Sequence, residues 1–317
     1  MTTVVEDTRR GAMLHLRGDL AGARAAYAAA LATDPGDAVA TNNLGFLLAQ
    51  EGDLADARVA LERAVELDPA SSMAWSNLGN VRAASGDGPA AVEALRRSIA
   101  LNPGNAIALE TLGRVLLAAG RLGQAERACR QAVAAVDGNR GPFLVTLAAV
   151  LGARGRLGEA AGALEEAVRL DPENADAWHQ LGALRFARRD LGLAVEALRQ
   201  AVGLDPEHGR ARHLLALALL ARGEHHAAAT ELRRHLAAHP DDDPVRLDLA
   251  ALELARGRFD QALAEADLAG PSDRTDFARA LALDGLGRRS DATRILDRLA
   301  GGGGPYAAQA AEVRRGQ

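Results

Sequence analysis

The chain has 317 residues, 48% of them apolar and only 3% aromatic, and a formal net charge of −5, so it lacks the basic surplus of a general nucleic-acid or membrane-surface binder. Lysine is absent, and the single cysteine, Cys129, excludes a disulfide framework and a thiolate metal site. No run approaches the ~18 uninterrupted apolar residues of a membrane helix. The stretch from Met1 to Gly18 carries Glu6, Asp7, Arg9, Arg10 and Arg17 where a signal peptide would be apolar, so a cytoplasmic chain with no membrane partner is expected.

A fixed period organises the sequence. Glycine stands at Gly18, Gly52, Gly86 and Gly120, each 34 residues after the last, and resumes at Gly155, Gly223 and Gly257, with Arg189 once in its place. Alanine follows five residues later, from Ala23, Ala57 and Ala91 to Ala228 and Ala262, and proline seventeen later, at Pro35, Pro69, Pro103, Pro172, Pro206 and Pro240. Such a period predicts a stack of identical supersecondary units in which each unit contacts only its neighbours. The function to expect is a long holding surface rather than a reactive pocket.

In chain order, the segment Ala38 to Ser71 is the cleanest unit. Leu44, Gly45 and Leu48 fall at helical spacing, and Gly52 supplies the left-handed residue that ends the helix. A second helix follows, with Ala57, Leu61, Ala64 and Val65 on one face, and stops at Asp68-Pro69. The next unit repeats the pattern with Trp75, Leu78, Gly79, Ala91 and Leu95, and Pro89 opens its second helix. One residue is inserted near Asp137–Arg140, before Pro142 begins a first helix. Pro244 begins another behind an expected cap at Asp243. The eighth unit shortens at Gly270-Pro271, and Gly287 arrives only 30 residues after Gly257. Residues 301–304 read as a glycine linker, and 305–317 as a segment that folds back as a capping helix or extends as a tail.

These units resemble the tetratricopeptide repeat family, through Trp75…Leu78-Gly79…Ala91…Leu95…Pro103 and Trp178…Leu181-Gly182…Ala194…Leu198…Pro206. The resemblance implies an all-α, right-handed superhelical solenoid of about nine helix-turn-helix repeats over residues 1–300, with a short C-terminal helical tail. It also implies that the first helices line a concave groove. The sixth repeat position then reads Asn43, Asn77, Thr111, Thr146 and Gln180 in five consecutive repeats. Their donors and acceptors suit an extended peptide backbone, and the row resembles the asparagine ladder of the O-linked N-acetylglucosamine transferase superhelix. Asn42, Phe46, Met73, Ser76, Asn80, Ile107, Arg114 and Phe186 share that inner face by register. Phe46 and Phe186 are the candidate apolar anchors.

Other features carry less. The lysine-containing carboxylate clamp of chaperone-binding family members has no counterpart. His235 and His239 are four apart on one helix face, a spacing that metals use, but His235 stands at an alanine position between helices and His239 at a helix end. Cys129 falls where a large buried residue belongs, and its thiol is expected to be inert. No phosphate-cradling loop, GxSxG or HExxH is present. The expected function is a non-catalytic scaffold that binds a protein or peptide in its groove, with no cofactor and no metal. The alternative is an accessory or regulatory subunit that presents a substrate peptide to a separate enzyme.

Overall fold

Each helix pair turns on one residue with left-handed backbone: Gly18, Gly52, Gly86, Gly120 and Gly155, then Arg189 at φ 66°, then Gly223, Gly257 and Gly287. Glycine takes this conformation without the steric cost a Cβ imposes, which explains the period. The computed structural model describes the backbone of residues 2–316 and the side chains of residues 4–316. Among the described residues there are nineteen helices and no strand, and the chain divides into two compact units, Met1–Pro172 and Glu173–Gln317.

The first unit holds α1 (Thr2–Leu16), α2 (Leu20–Thr33), α3 (Ala38–Gln50), α4 (Leu54–Leu67), α5 (Ser72–Ala84), α6 (Gly88–Leu101), α7 (Ala106–Ala118), α8 (Leu122–Ala134), α9 (Gly141–Ala153) and α10 (Leu157–Leu170). Aspartates cap its early second helices: Asp19, Asp53 and Asp87 each accept a hydrogen bond from the backbone N–H three residues on. Arg121 and Arg156 stand at the equivalent places of α8 and α10 and make no such bond. Near the insertion at Asp137–Arg140, Asn139 Oδ1 rather than the N-cap Arg140 accepts from the Gly141 backbone N–H at 2.9 Å, and Arg140 pairs with Glu166 at 2.9 Å.

The second unit holds α11 (Ala175–Ala187), α12 (Leu191–Leu204), α13 (Gly209–Ala221), α14 (His225–Ala238), α15 (Asp243–Ala255), α16 (Phe259–Leu268), α17 (Asp273–Gly285), α18 (Arg289–Gly301) and α19 (Ala307–Gly316). The cap of α15 is Asp242, not Asp243. Asp242 accepts from the Val245 backbone N–H, and Asp243, one residue into the helix, accepts instead from Gly270 N at 3.0 Å. The short α16 ends before Pro271. Gly301 closes α18, residues 302–306 make a turn, and α19 packs back on α18. Ala310 is fully buried beside Leu296 and Leu299, and Tyr306 lies 5.2 Å from Phe277, ring centre to ring centre.

Within a pair, the two helices approach through a small residue facing a large one. A Cβ on Gly45 would lie 2.7 Å from Leu61, on Gly79 2.6 Å from Leu95, and on Gly182 2.5 Å from Leu198. Gly113 meets Cys129 in the same way. Leu61, Leu95 and Leu198 are wholly buried, so close packing fixes these positions and leaves the exposed faces free to vary.

Candidate functional site

In the first unit, α1, α3, α5, α7 and α9 touch one another in order, and successive second helices do not touch to the same extent. The first helices therefore line the shorter, inner side of that stack. Equivalent positions form rows across it. Val5, Val39, Met73 and Ile107, each 34 residues apart, form a solvent-facing apolar row, exposed by 49, 60, 65 and 59%.

One turn further along the helices lies a row of amides. Asn77 Nδ2 donates to Asn42 Oδ1 at 2.9 Å, and Asn42 Nδ2 donates to Asn43 Oδ1 at 3.2 Å. Asn43 in turn hydrogen-bonds the buried Tyr27 hydroxyl. Burial raises the Tyr27 pKa, and the Asn43 bond partly opposes that. A carboxamide offers two N–H donors and an oxygen acceptor, so each keeps capacity beyond these bonds.

The other expected residues are placed differently. Thr111 is 6% exposed, and Asn42 is also buried. Thr146 donates to Glu110 at 2.8 Å, and Glu110 lies 3.8 Å from the exposed Arg114. Gln180 and Phe186 belong to the second unit, where Phe186 packs against the cluster of Leu215, Leu219 and Leu232.

Beyond the amides a cleft of about 250 Å³ opens between α3 and α5. Phe46, Gln50, Asn77 and Asn80 line it above the buried Leu61 and Val81. The Phe46 ring stacks obliquely 5.6 Å from His15, whose Nε2 is 2.5 Å from Gln50 Oε1. Asn80 Oδ1 is buried and has no hydrogen-bond partner among the described residues. Buried polar atoms are nearly always paired, so this one, closed off beneath the lining of the cleft, is an unusual feature of the packing. Sequence reasoning missed Val5, Val39, Tyr27 and Gln50. The spacing of Val5 and Val39 from Met73 and Ile107 was the available signal.

The first helices of the second unit carry charge instead. Asp176, Arg210 and Arg274 stand where the first unit has its apolar row. Asp248 accepts from His213 at 2.8 Å and from Arg274 at 2.5 Å; burial opposes its ionisation, but these bonds outweigh it and hold its carboxyl below the usual range. His235, buried, lies 2.8 Å from Asp242 and 4.8 Å from the His239 ring. His179 stacks 4.7 Å from His208, and burial, aided by the His208 charge, lowers its pKa. No group of three or more ligating side chains among the described residues is arranged to hold a metal ion.

Two further places draw attention. A cleft of about 540 Å³ lies on α12, α13 and α14, but its Arg212 and Arg234 already bind Glu231 at 3.0 and 2.9 Å. Cys129 is 1% exposed, and burial together with the Glu110 charge pushes its thiol up to about 12. It is not a nucleophile at neutral pH.

Family models described as tetratricopeptide repeat match residues 14–79, 76–140, 185–244 and 219–285, and one described as TPR repeat matches 150–188. The chain belongs to the tetratricopeptide repeat family. Solved structures with the same fold include the APC/C hetero-tetramer Cut9-Hcn1, at a TM-score of 0.65 and 20% identity over 76% of this chain and 48% of that one. This tetratricopeptide repeat chain thus spans about half the length of that relative. PilF of Pseudomonas aeruginosa matches at 0.58 and 21% identity over 64% of this chain and 92% of its own. A tetratricopeptide repeat protein from Parabacteroides merdae matches at 0.60 and 16% identity over 80% and 99%. A search of curated proteins gives no match.

Proposed function

We propose that this tetratricopeptide repeat protein is a non-catalytic scaffold that holds a peptide or protein segment on the inner face of its first unit, through Asn43, Asn77, Asn80 and Phe46. The open cleft beside Phe46, with the acceptor oxygens of the Asn43 and Asn77 amides at its edge, carries this reading. A main-chain N–H is the donor that every peptide supplies, whatever its sequence. The linked amides of Asn42, Asn43 and Asn77 lie beside it, with bonding capacity left over. Phe46 offers a large apolar contact at the same cleft. Arg114 and Thr146 flank this patch, and Gln180 with Phe186 would serve a separate contact on the second unit.

The test uses Asn80→Leu in the full chain. Removing an unpaired buried acceptor should leave the free protein as stable or stabilise it by ~1–3 kcal/mol. It should weaken binding to a partner captured from the native cell. The pair Asn43→Ala with Asn77→Ala should weaken that binding further, with the fold intact by circular dichroism. Undiminished binding by both variants would place recognition outside the first unit's inner face.

A further inference from the structure

We infer that the second unit carries a separate docking slot, between α12 and α14 over α13, for an aromatic side chain of a protein partner flanked by acidic residues. The slot lies on the side of the second helices and does not depend on the inner face of the first unit.

It arises from one exchange within the repeat. At the repeat position of Trp75 and Trp178 the chain has Thr41 in α3 and Arg212 in α13. Trp75 packs against the cluster of Leu61, Val65 and Leu78, and its Nε1 donates to Pro69 O at 3.0 Å. Arg212 keeps the polar half of that arrangement: its Nη2 donates to the equivalent carbonyl, Pro206 O, at 2.5 Å. A guanidinium on a thin stem does not fill the volume of an indole, so space is left. The cleft of about 540 Å³ stands beside Arg212, over Val202, Leu215 and Leu219. Where Thr41 replaces the tryptophan, a cleft of about 330 Å³ opens at the same place, with Leu31 and Leu44 in the register of Val202 and Leu215. Both clefts thus mark a missing indole. A Cβ on Gly203 would enter open space, so α12 does not obstruct the one at Arg212.

The repeat itself shows what this place accepts. In its own units the chain fills it with the ring of Trp75 or Trp178, each partly buried against the neighbouring core cluster. A partner's ring entering beside Arg212 would cover the same kind of apolar floor, and a ring brings a large buried area at little cost in rotamer freedom.

Charge separates the two clefts. The one at Thr41 balances Asp56 against Arg63. The one at Arg212 is lined by Arg199, Arg212, Arg234 and Glu231. Glu231 is shared by Arg212 at 3.0 Å and Arg234 at 2.9 Å, and Glu224, 3.9 Å from Arg199, is held by Arg222 at 2.9 Å. Four guanidinium groups thus share two carboxylates. The side chains of Arg199 and Arg234 are more than half exposed, at 58 and 63%. Carboxylates on either side of a bound ring would complement this surplus, and an arginine beside the ring face adds a cation–π contact.

The test measures fluorescence polarisation with the full chain and fluorescein-labelled twelve-residue peptides of Ser and Gly around a five-residue core. One core is Glu-Glu-Trp-Glu-Glu, a second has Ala for Trp, and a third has Lys for Glu. The first should bind about tenfold tighter than either, a difference of ~1.4 kcal/mol. Arg212→Trp, which restores the indole, should abolish that preference. Gly203→Leu, which blocks the cleft and leaves every arginine in place, should abolish it too. Thr41→Trp, which fills the equivalent cleft of the first unit, should not. Equal binding of the alanine peptide, full affinity in Gly203→Leu, or no binding by any peptide would overturn the slot. Equal binding of the lysine peptide would overturn its acidic preference.

Discussion

The inner helices of the two units share one scaffold and differ in what they display. Leu78 of α5 and Leu181 of α11 occupy the same repeat position and are equally buried, at 1% exposure. Gly79 and Gly182 beside them admit the partner leucine in the same way. On the surface above, the first unit shows valine, methionine, isoleucine and asparagine, and the second shows the His213–Asp248–Arg274 cluster and the stacked His179 and His208. In a repeat array, the core positions answer to packing and the inner-face positions do not. One chain can therefore carry a largely neutral inner face and an ionic one on the same frame.

The chain has two tryptophans, Trp75 in the first unit and Trp178 in the second, so Trp75→Phe and Trp178→Phe backgrounds report each unit's urea unfolding separately. The largest effects should show the units to be alike. Leu78→Ala and Leu181→Ala should each cost ~2–5 kcal/mol in their own unit, through lost burial and the cavity left behind. A loss in one and not the other would break the claim of a shared core.

The next effect should separate them. Asp248→Asn removes the charged acceptor of His213 and Arg274 and should cost the second unit ~1.5–3 kcal/mol. Asn77→Ala, which removes a neutral bond, should cost the first only ~0.5–1.5 kcal/mol. Equal costs would mean that the ionic cluster contributes no more than the amides. Arg189→Gly should stabilise the second unit by ~1–2 kcal/mol, because only there does a residue with a Cβ hold the left-handed turn. An unchanged midpoint would show that the turn carries no strain.

The smallest effect is pH dependence. In the folded second unit, burial and His208 favour neutral His179, so its folded pKa lies below its unfolded value. Its contribution is fully present above the ordinary histidine pKa of ~6.5 and is lost as pH falls through the depressed folded value. Asp248, also depressed, contributes above the ordinary carboxylate pKa of ~3.9 and loses that only in stronger acid. The Trp178 midpoint should therefore fall between pH 7 and 5.5, and His179→Gln should reduce the fall. A fall of the same size in the variant would assign it to another group.

The fold was legible because its rules admit few residues. A left-handed turn asks for glycine, and Gly45, Gly79 and Gly182 must be small because a leucine fills the space beside them. The cap of α15 was misplaced by one residue because Asp241, Asp242 and Asp243 are chemically equal, and only the backbone chooses among them. The inner face was legible in register but not in chemistry. Asn77 bonds Asn42 rather than Asn43, and a polar residue at an inner position says nothing of its neighbours. Thr111 is buried, and Thr146 is engaged by Glu110. Val5 and Val39 stand in the register of Met73 and Ile107, but nothing in an apolar residue type by itself marks an exposed row. The orphaned oxygen of Asn80 depends on what surrounds it in three dimensions, and no spacing announces it.

The most direct test of the central claim is site-specific photo-cross-linking with p-benzoylphenylalanine in the full chain. One probe replaces Phe46 on the inner face of the first unit, and the other replaces Val59, exposed on the outer α4. The account predicts that a bound partner or peptide cross-links at position 46 and not at 59. Cross-linking at 59 with none at 46 would contradict it.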